Sequence, residues 1–182
     1  MFNLSGKKKS SVVVRDLIWI TEEVKLQAIV NEYKKNTETI IAVWFDTTYR
    51  KLETLFSNNG LTTEKIFMTR ELASHSLKNN PLILAEHYPL RKKEEELFEK
   101  LALSNVTVYS SLDEPLFIYF GGDKISGMVK NLGLKEDEAL EHTMISSSIK
   151  NAQDKIAAKI IVEQSANSSG DWFLYNLGKN QA

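Results

Sequence analysis

Residues 39–45 read TIIAVWF, a run whose only polar side chain is its first. A strand with one wet face alternates polar and apolar residues. An unbroken apolar run belongs instead to a strand covered on both faces, the habit of parallel sheets flanked by helices. The flanking sequence agrees. VVVRDLIWI (12–20) is rich in β-branched and aromatic residues and reads as extended structure. Thr21 then offers an N-cap, and Glu22 and Glu23 fall in a first turn, where the helix dipole favours acids. The helix TEEVKLQAIVNEYKK carries Val24, Leu26, Ala28, Ile29, Val30 and Tyr33 on a broad apolar face. Beyond the run, Asp46 or Thr47 can cap a second helix, which bears Tyr49, Leu52, Leu55 and Phe56 and stops at Asn58-Asn59-Gly60. This β–α–β–α order predicts an α/β domain with a mainly parallel sheet flanked by helices.

KIFMT (65–69), PLILAEH (81–87) and NVTVYS (105–110) read as further strands, with RELASHSL helical between the first two. RKKEEELFEKLAL (91–103) reads as a helix with a solvated charged face. From Gly121 the pattern turns helical and polar. MISSSIKNAQDKIAAKIIVEQSA (144–166) predicts one continuous helix of about five or six turns, with Met144, Ile145, Ile149, Ala152, Ile156, Ile160 and Ile161 as its apolar stripe. NSSGD (167–171) breaks that helix, and WFLYNL (172–177) is an aromatic tail in need of a surface. The expected division is a flexible tail over 1–11, an α/β domain over 12–120 and a helical extension over 121–182.

Composition narrows the function classes. With 182 residues, 42% apolar and 26% charged, the chain has the make-up of a soluble globular protein. A net charge of −1 gives no electrostatic case for nucleic acid or an acidic membrane surface. The basic cluster Lys7-Lys8-Lys9 reads as a solvated end. The absence of cysteine excludes disulfides, thiolate catalysis and cysteine zinc sites, and fits a reducing cytoplasm. No apolar run approaches the ~20 residues of a membrane-spanning helix, and no secretory signal opens the chain. A cytoplasmic protein is expected, without membrane insertion.

The candidate chemistry is thin. GGDKISG (121–127) follows an apolar stretch but has the spacing of neither a dinucleotide loop nor a P-loop. Ser111-Leu112-Asp113-Glu114 has the form of a capping box, so DEPLFIYF reads as a short helix ending at Gly121. His75, His87 and His142 are scattered without metal-ligand spacing. Glu86-His87 and Glu141-His142 are sequence neighbours, which on a strand point to opposite faces, so each reads as structural or surface. Ser146-Ser147-Ser148 lacks a nucleophile elbow and reads as small-residue packing. Glu94-Glu95-Glu96 reads as an exposed helix start, and Trp19, Trp44 and Trp172 as core or interface anchors. The best ligand candidates are Asp46, Thr47 and Thr48, because α/β sites lie at the carboxyl ends of strands. No metal or cofactor is expected.

Several stretches, taken in order, resemble the second nucleotide-binding domain of SecA, the preprotein translocase motor. DLIWITEEVKLQAIVNEYKK (16–35) is similar to the opening of that domain at Asp16, Leu17, Ile18, Thr21, Glu22, Lys25, Ala28 and Ile29. TIIAVWFDTTYRKLETLFSNNGL resembles its next strand and helix, down to the Gly60-Leu61 stop, and LILAEH (82–87) a later strand. The fullest match is SLDEPLFIYFGGDKISGMVKNLGLKEDEALEHTMISSSIKNAQDKI (111–156), similar to the stretch that leaves the domain and enters a long scaffold helix. It rests on Ser111, Leu112, Asp113, Leu116, Phe120, Gly121, Asp123, Ile125, Leu132, Gly133, Glu141, His142, Ile149, Ala152, Gln153 and Lys155. The resemblance implies a shortened RecA-like domain followed by a long C-terminal helix.

The departures from the family pattern carry the functional expectation. The P-loop domain has no counterpart here, the family's glycine- and aspartate-containing segment is missing between Gly60 and Leu82, and its arginine-rich segment is replaced by EEELFEKLALSNV. The guanidinium groups that would stabilise a transferring γ-phosphoryl are gone. The resemblance therefore implies a non-catalytic module that binds translocase components or itself, with Ile156, Ile160, Trp172, Phe173 and Tyr175 as the expected contact residues. The alternative is a small nucleotide-binding enzyme working from Asp46, Thr47 and Thr48.

Overall fold

In the computed structural model, which describes residues 12–77, 80–119, 135 and 137–178, the apolar run forms β2 (Ile40–Val43), buried at every position. Its side chains alternate between two cores. Ile41 and Val43 pack with Ile29, Val30, Leu52 and Phe56 beneath α1 (Glu22–Lys35) and α2 (Asp46–Asn58). Ile40 and Ala42 pack on the opposite face with Leu77, Leu97, Phe98 and Leu101, from α3 (Ser74–Leu77) and α4 (Arg91–Lys100) with the residue after it. A strand sandwiched in this way has no wet face, so its lack of alternation is a consequence of burial.

Around β2 stand β1 (Val13–Trp19), β3 (Ile66–Met68), β4 (Leu82–Leu84) and β5 (Asn105–Ser111), in the order β1-β5-β4-β2-β3 with every pair parallel. The long pairing is β1 with β5, in register from Val13 opposite Asn105 to Trp19 opposite Ser111. Leu140 adds an antiparallel bridge on Ile18, and Arg15 grips Glu141 with two hydrogen bonds of 2.9 and 2.8 Å. The expected α/β architecture with a parallel sheet is present.

Local chemistry sets the helix ends. The Thr21 hydroxyl accepts from the Val24 amide, capping α1 as expected, and Gly60 closes α2 with φ +67°, a conformation costly for other residues. The cap expected of Asp46 or Thr47 is not formed. The N-cap position is Phe45, whose side chain cannot accept a hydrogen bond, and the Asn167 carbonyl takes the Thr47 amide instead. Strand β4 is shorter than its sequence signal, since Glu86 and His87 turn away to make buried polar contacts.

The C-terminal third departs most from expectation. A short helix α5 (Pro115–Tyr119) follows β5, with Glu114 accepting from the Ser111 amide as a capping box requires. Its expected stop at Gly121 lies outside the described residues, as do the 1–11 tail and all of GGDKISG. The continuous helix expected over 144–166 is α6 (Thr143–Ala157) only, and a separate helix α7 (Ser169–Leu177) follows. Ile149, Ala152 and Ile156 are buried as the stripe requires, but Ile161 and Val162 are 99% and 79% exposed. The β-branched run Ile160-Ile161-Val162 is a poor helix former. The reversal it permits returns Trp172 and Phe173 to the sheet end, burying far more area than another helical turn would. Ser168, read as part of a breaker, starts α7 by accepting from the Asp171 amide at 3.0 Å.

Leu52 is fully buried between α2 and the sheet, whereas Tyr175 is half exposed. Leu52→Ala is expected to cost about 2–5 kcal/mol of stability. Tyr175→Ala should stay within about 0.5 kcal/mol of the parent. Urea unfolding followed by far-ultraviolet circular dichroism measures both.

Candidate functional site

After β2 the chain turns to α2 on one face, and after the adjacent β4 it turns to α4 on the other. The carboxyl ends of these strands therefore part around a crevice, the usual position of a ligand in an open α/β sheet. Here the crevice holds the chain's own carboxylate. Glu86 Oε1 accepts from the Trp44 and Phe45 amides at 2.9 and 3.0 Å, and Oε2 accepts from the Thr48 hydroxyl at 2.6 Å. Burial pushes the Glu86 carboxyl up to about 7, against the pull of Lys25 and the Thr48 hydroxyl. Lys25 is buried and meets Glu114 Oε1 at 2.5 Å. Burial alone would lower its pKa, but the carboxylates of Glu114 and Glu86 hold it above the ordinary lysine value.

Asp46, Thr47 and Thr48 are brought together in the first turn of α2, as a strand-end site requires, but their polar groups are engaged within the chain. Asp46 pairs with Arg70 at 3.2 Å. The Thr47 amide and hydroxyl both donate to the Asn167 carbonyl, at 3.1 and 2.7 Å. Thr48 is buried against Glu86. An anion approaching this helix start would meet a carbonyl and a carboxylate where it needs donors.

A second charged cluster lies on the other side of β4. His87 is buried between Asp16 of β1, at 3.1 Å from Nε2, and Glu94 of α4, at 2.8 Å from Nδ1. Burial would lower the imidazole pKa, but Glu94 and Asp16 together push it up to about 10, so the ring carries a proton. Burial likewise opposes ionisation of Asp16, yet the hydrogen bond from His87 holds its carboxyl below the usual range. Gln153 of α6 completes the cluster, donating to Glu94 Oε2 at 2.9 Å and to the Tyr88 carbonyl at 2.8 Å. A cleft of about 400 Å³ runs above it between α4 and α6, bordered by Arg91, Lys150 and Ser146.

Helices α6 and α7 roof the strand ends. Ile156 and Trp172 are fully buried and Phe173 nearly so, against Ile18, Phe45, Leu112, Leu116 and Phe117. Tyr88 stacks on Phe45 and meets Trp172 edge-on, while Glu163 accepts from the Tyr88 hydroxyl and from Trp172 Nε1. Of the expected contact residues, Ile156, Trp172 and Phe173 thus face the chain's own core, Ile160 is half-buried and Tyr175 is exposed.

Several polar residues were misread from sequence. Glu94, expected at an exposed helix start, is buried because the α4 face that bears Leu97 and Phe98 also bears it. Ser147 and Ser148 do not pack; both are exposed and their hydroxyls bond back to the Thr143 and Met144 carbonyls. His142 caps α6 through Nδ1, and His75 is exposed. Glu86 and His87 do diverge to opposite sides, as neighbours on an extended segment should. Lys25, Asp16 and Asn167 were not singled out for a site role. A signal existed for the first two, since each is a charged residue among otherwise apolar positions of its own element. Among the described residues no group of three or more His, Asp or Glu could hold a metal ion.

The class defined by these features is an all-parallel α/β domain, its sheet of the kind a RecA-like domain carries, with the strand ends closed by C-terminal helices. Comparison with known proteins connects part of it to SecA. Over 51 residues the chain is 53% identical to the protein translocase subunit SecA of Acinetobacter baylyi, 49% to that of Acidithiobacillus ferrooxidans and 51% to that of Acinetobacter baumannii. The matched stretch is 28% of this chain and 6% of each relative, so the homology is partial. No family model matches the chain.

His87 and Glu86 make stability depend on pH with the same sign. His87 is raised from 6.5 to about 10, so its contribution is full below pH 6.5 and is lost as pH rises through 10. Glu86 is raised from 4.5 to about 7, so the folded state is favoured below pH 4.5 and loses that advantage as pH rises through 7. The melting temperature is expected to fall steadily on the alkaline side. In Glu86→Gln the decline between pH 4.5 and 7 should flatten, and in His87→Gln the decline between pH 6.5 and 10. Thermal melts across a pH series test this; variant slopes equal to the parent's would refute the assignments.

Proposed function

We propose that this chain is a non-catalytic, cytoplasmic protein-binding or regulatory module related to protein translocation. The observation that carries the reading is the closed strand-end crevice. Glu86 occupies the Trp44 and Phe45 amides just before α2, Asn167 occupies Thr47, and α6 and α7 cover the aromatic lip. A motor that exchanges nucleotide needs those donors free and the crevice open. The partial identity to SecA supports a role beside that translocase subunit, and the chain retains a fold of its own with which to meet a protein partner.

The partner is proposed to be a translocase component or a second copy of this chain. No described helix is long and apolar enough to cross a membrane, which fits action as a docked protein. Calorimetric titration with ATP and ADP is expected to give no saturable heat. Surface-immobilised chain is expected to retain purified SecA, or sedimentation to report self-association in the micromolar range. Nucleotide binding with turnover would replace this reading with that of an enzyme. A strict monomer that retains no translocase component would remove the translocation role.

A further inference from the structure

The cores beneath α1 and α2 and beneath α3 and α4 contain no residue of α6 or α7. These two helices contribute only to the third cluster, at the strand ends, where Ile149, Ala152, Ile156, Trp172 and Phe173 meet residues of the body. The remaining attachments are mainly polar. Gln153 bonds Glu94 and the Tyr88 carbonyl, Asp154 meets Arg91 at 3.2 Å, Glu163 meets Tyr88 and Lys93, Lys159 meets Tyr119, Ser146 bonds Asp16, and the Asn167 carbonyl meets Thr47. The cleft of about 400 Å³ runs along the seam between α4 and α6, and the connection between α6 and α7 leaves Ile161 and Val162 in solvent. A unit that packs on the sheet only at its strand ends, through Ile18 and Phe45, and is joined along a partly open seam meets the physical conditions for opening on its own.

We propose that residues 143–177 form a detachable strap, clasped to the body by Gln153, which opens as one unit while the parallel sheet stays folded. Asp16, His87 and Glu94 all belong to the body, so their mutual pairing survives the opening. What the strap supplies is the Gln153 amide that covers the Glu94 carboxylate, the Ser146 hydroxyl on Asp16, and the aromatic roof over Phe45 and Tyr88. Opening frees the Thr47 amide and hydroxyl and uncovers Phe45, Leu116 and Phe117 at the strand-end crevice. The strap is therefore a self-covering contact over the position where an α/β domain meets its ligands, and it stands whether or not the chain binds a translocase.

Native-state hydrogen exchange in low urea, read by mass spectrometry, tests the strap on the full chain. In the parent, amides of 143–177 should exchange on the order of tenfold or more faster than those of β2 and β5, with a weaker urea dependence. Gln153→Ala should accelerate 143–177 by a further factor on the order of ten, the effect of losing a hydrogen bond to a charged group. Leu52→Ala should accelerate the sheet and leave 143–177 unchanged, because the open state keeps that core intact. Equal rates and urea dependence throughout the parent would overturn the proposal without recourse to any variant. It would also fail if Leu52→Ala accelerated both regions in step, or if Gln153→Ala left 143–177 unaltered.

Discussion

The carboxylate of Glu86 sits where the two halves of the sheet part, and it accepts from the two backbone amides at which β2 gives way to α2. Those amides would otherwise be unmatched donors in a nearly dry crevice, a costly arrangement. Much of the surrounding structure depends on this one solution. Thr48 turns inward to the second oxygen of Glu86, and Lys25, though buried, stays charged because Glu86 and Glu114 both face it. With Lys25 held by Glu114, the start of α5 is tied to α1. The helix start that could have received a ligand anion is thereby committed to internal contacts, and Asn167 from the far end of the chain completes the commitment at Thr47.

The sheet was legible in the sequence for a simple reason. Its strands are buried on both faces, and burial on both faces removes polar residues from the strand itself, leaving apolar runs such as TIIAVWF. The first helix was equally plain, because Thr21 and its acidic first turn are local signals. The closed site was not legible. Glu86, His87, Asp16 and Glu94 are separated by up to 78 residues, and what makes them a pair of clusters is the spatial order β1-β5-β4-β2, which no local pattern contains. Glu94 illustrates the difficulty. On composition its helix start is a run of charges, yet one of the three glutamates faces inward because helical geometry places it with Leu97 and Phe98.

The end of α6 failed for a related reason. The stripe from Met144 to Ile161 has the period of a helix throughout, so periodicity alone extends α6 past Ala157. What ends it is the destination of Trp172 and Phe173, which can reach the sheet end only if the chain reverses. A fully buried tryptophan outweighs one more turn of a helix whose next residues, Ile160-Ile161-Val162, favour extended backbone.

Apolar packing and polar contacts thus divide the task of placing the C-terminal helices. Ile149, Ala152 and Ile156 decide which face of α6 turns inward. Gln153 adds a directional contact. Its amide reaches both Glu94 and the Tyr88 carbonyl in one register, and displacement would leave Oε2 of the buried Glu94 without its donor, while Oε1 keeps His87 and the Tyr88 amide. The sheet is specified by what it excludes from water, and the roof over it by where a few polar groups must meet. Contacts of that second kind are strong only while water is kept from the seam, which is why the same residues that fix the position of the strap also make its release a discrete event.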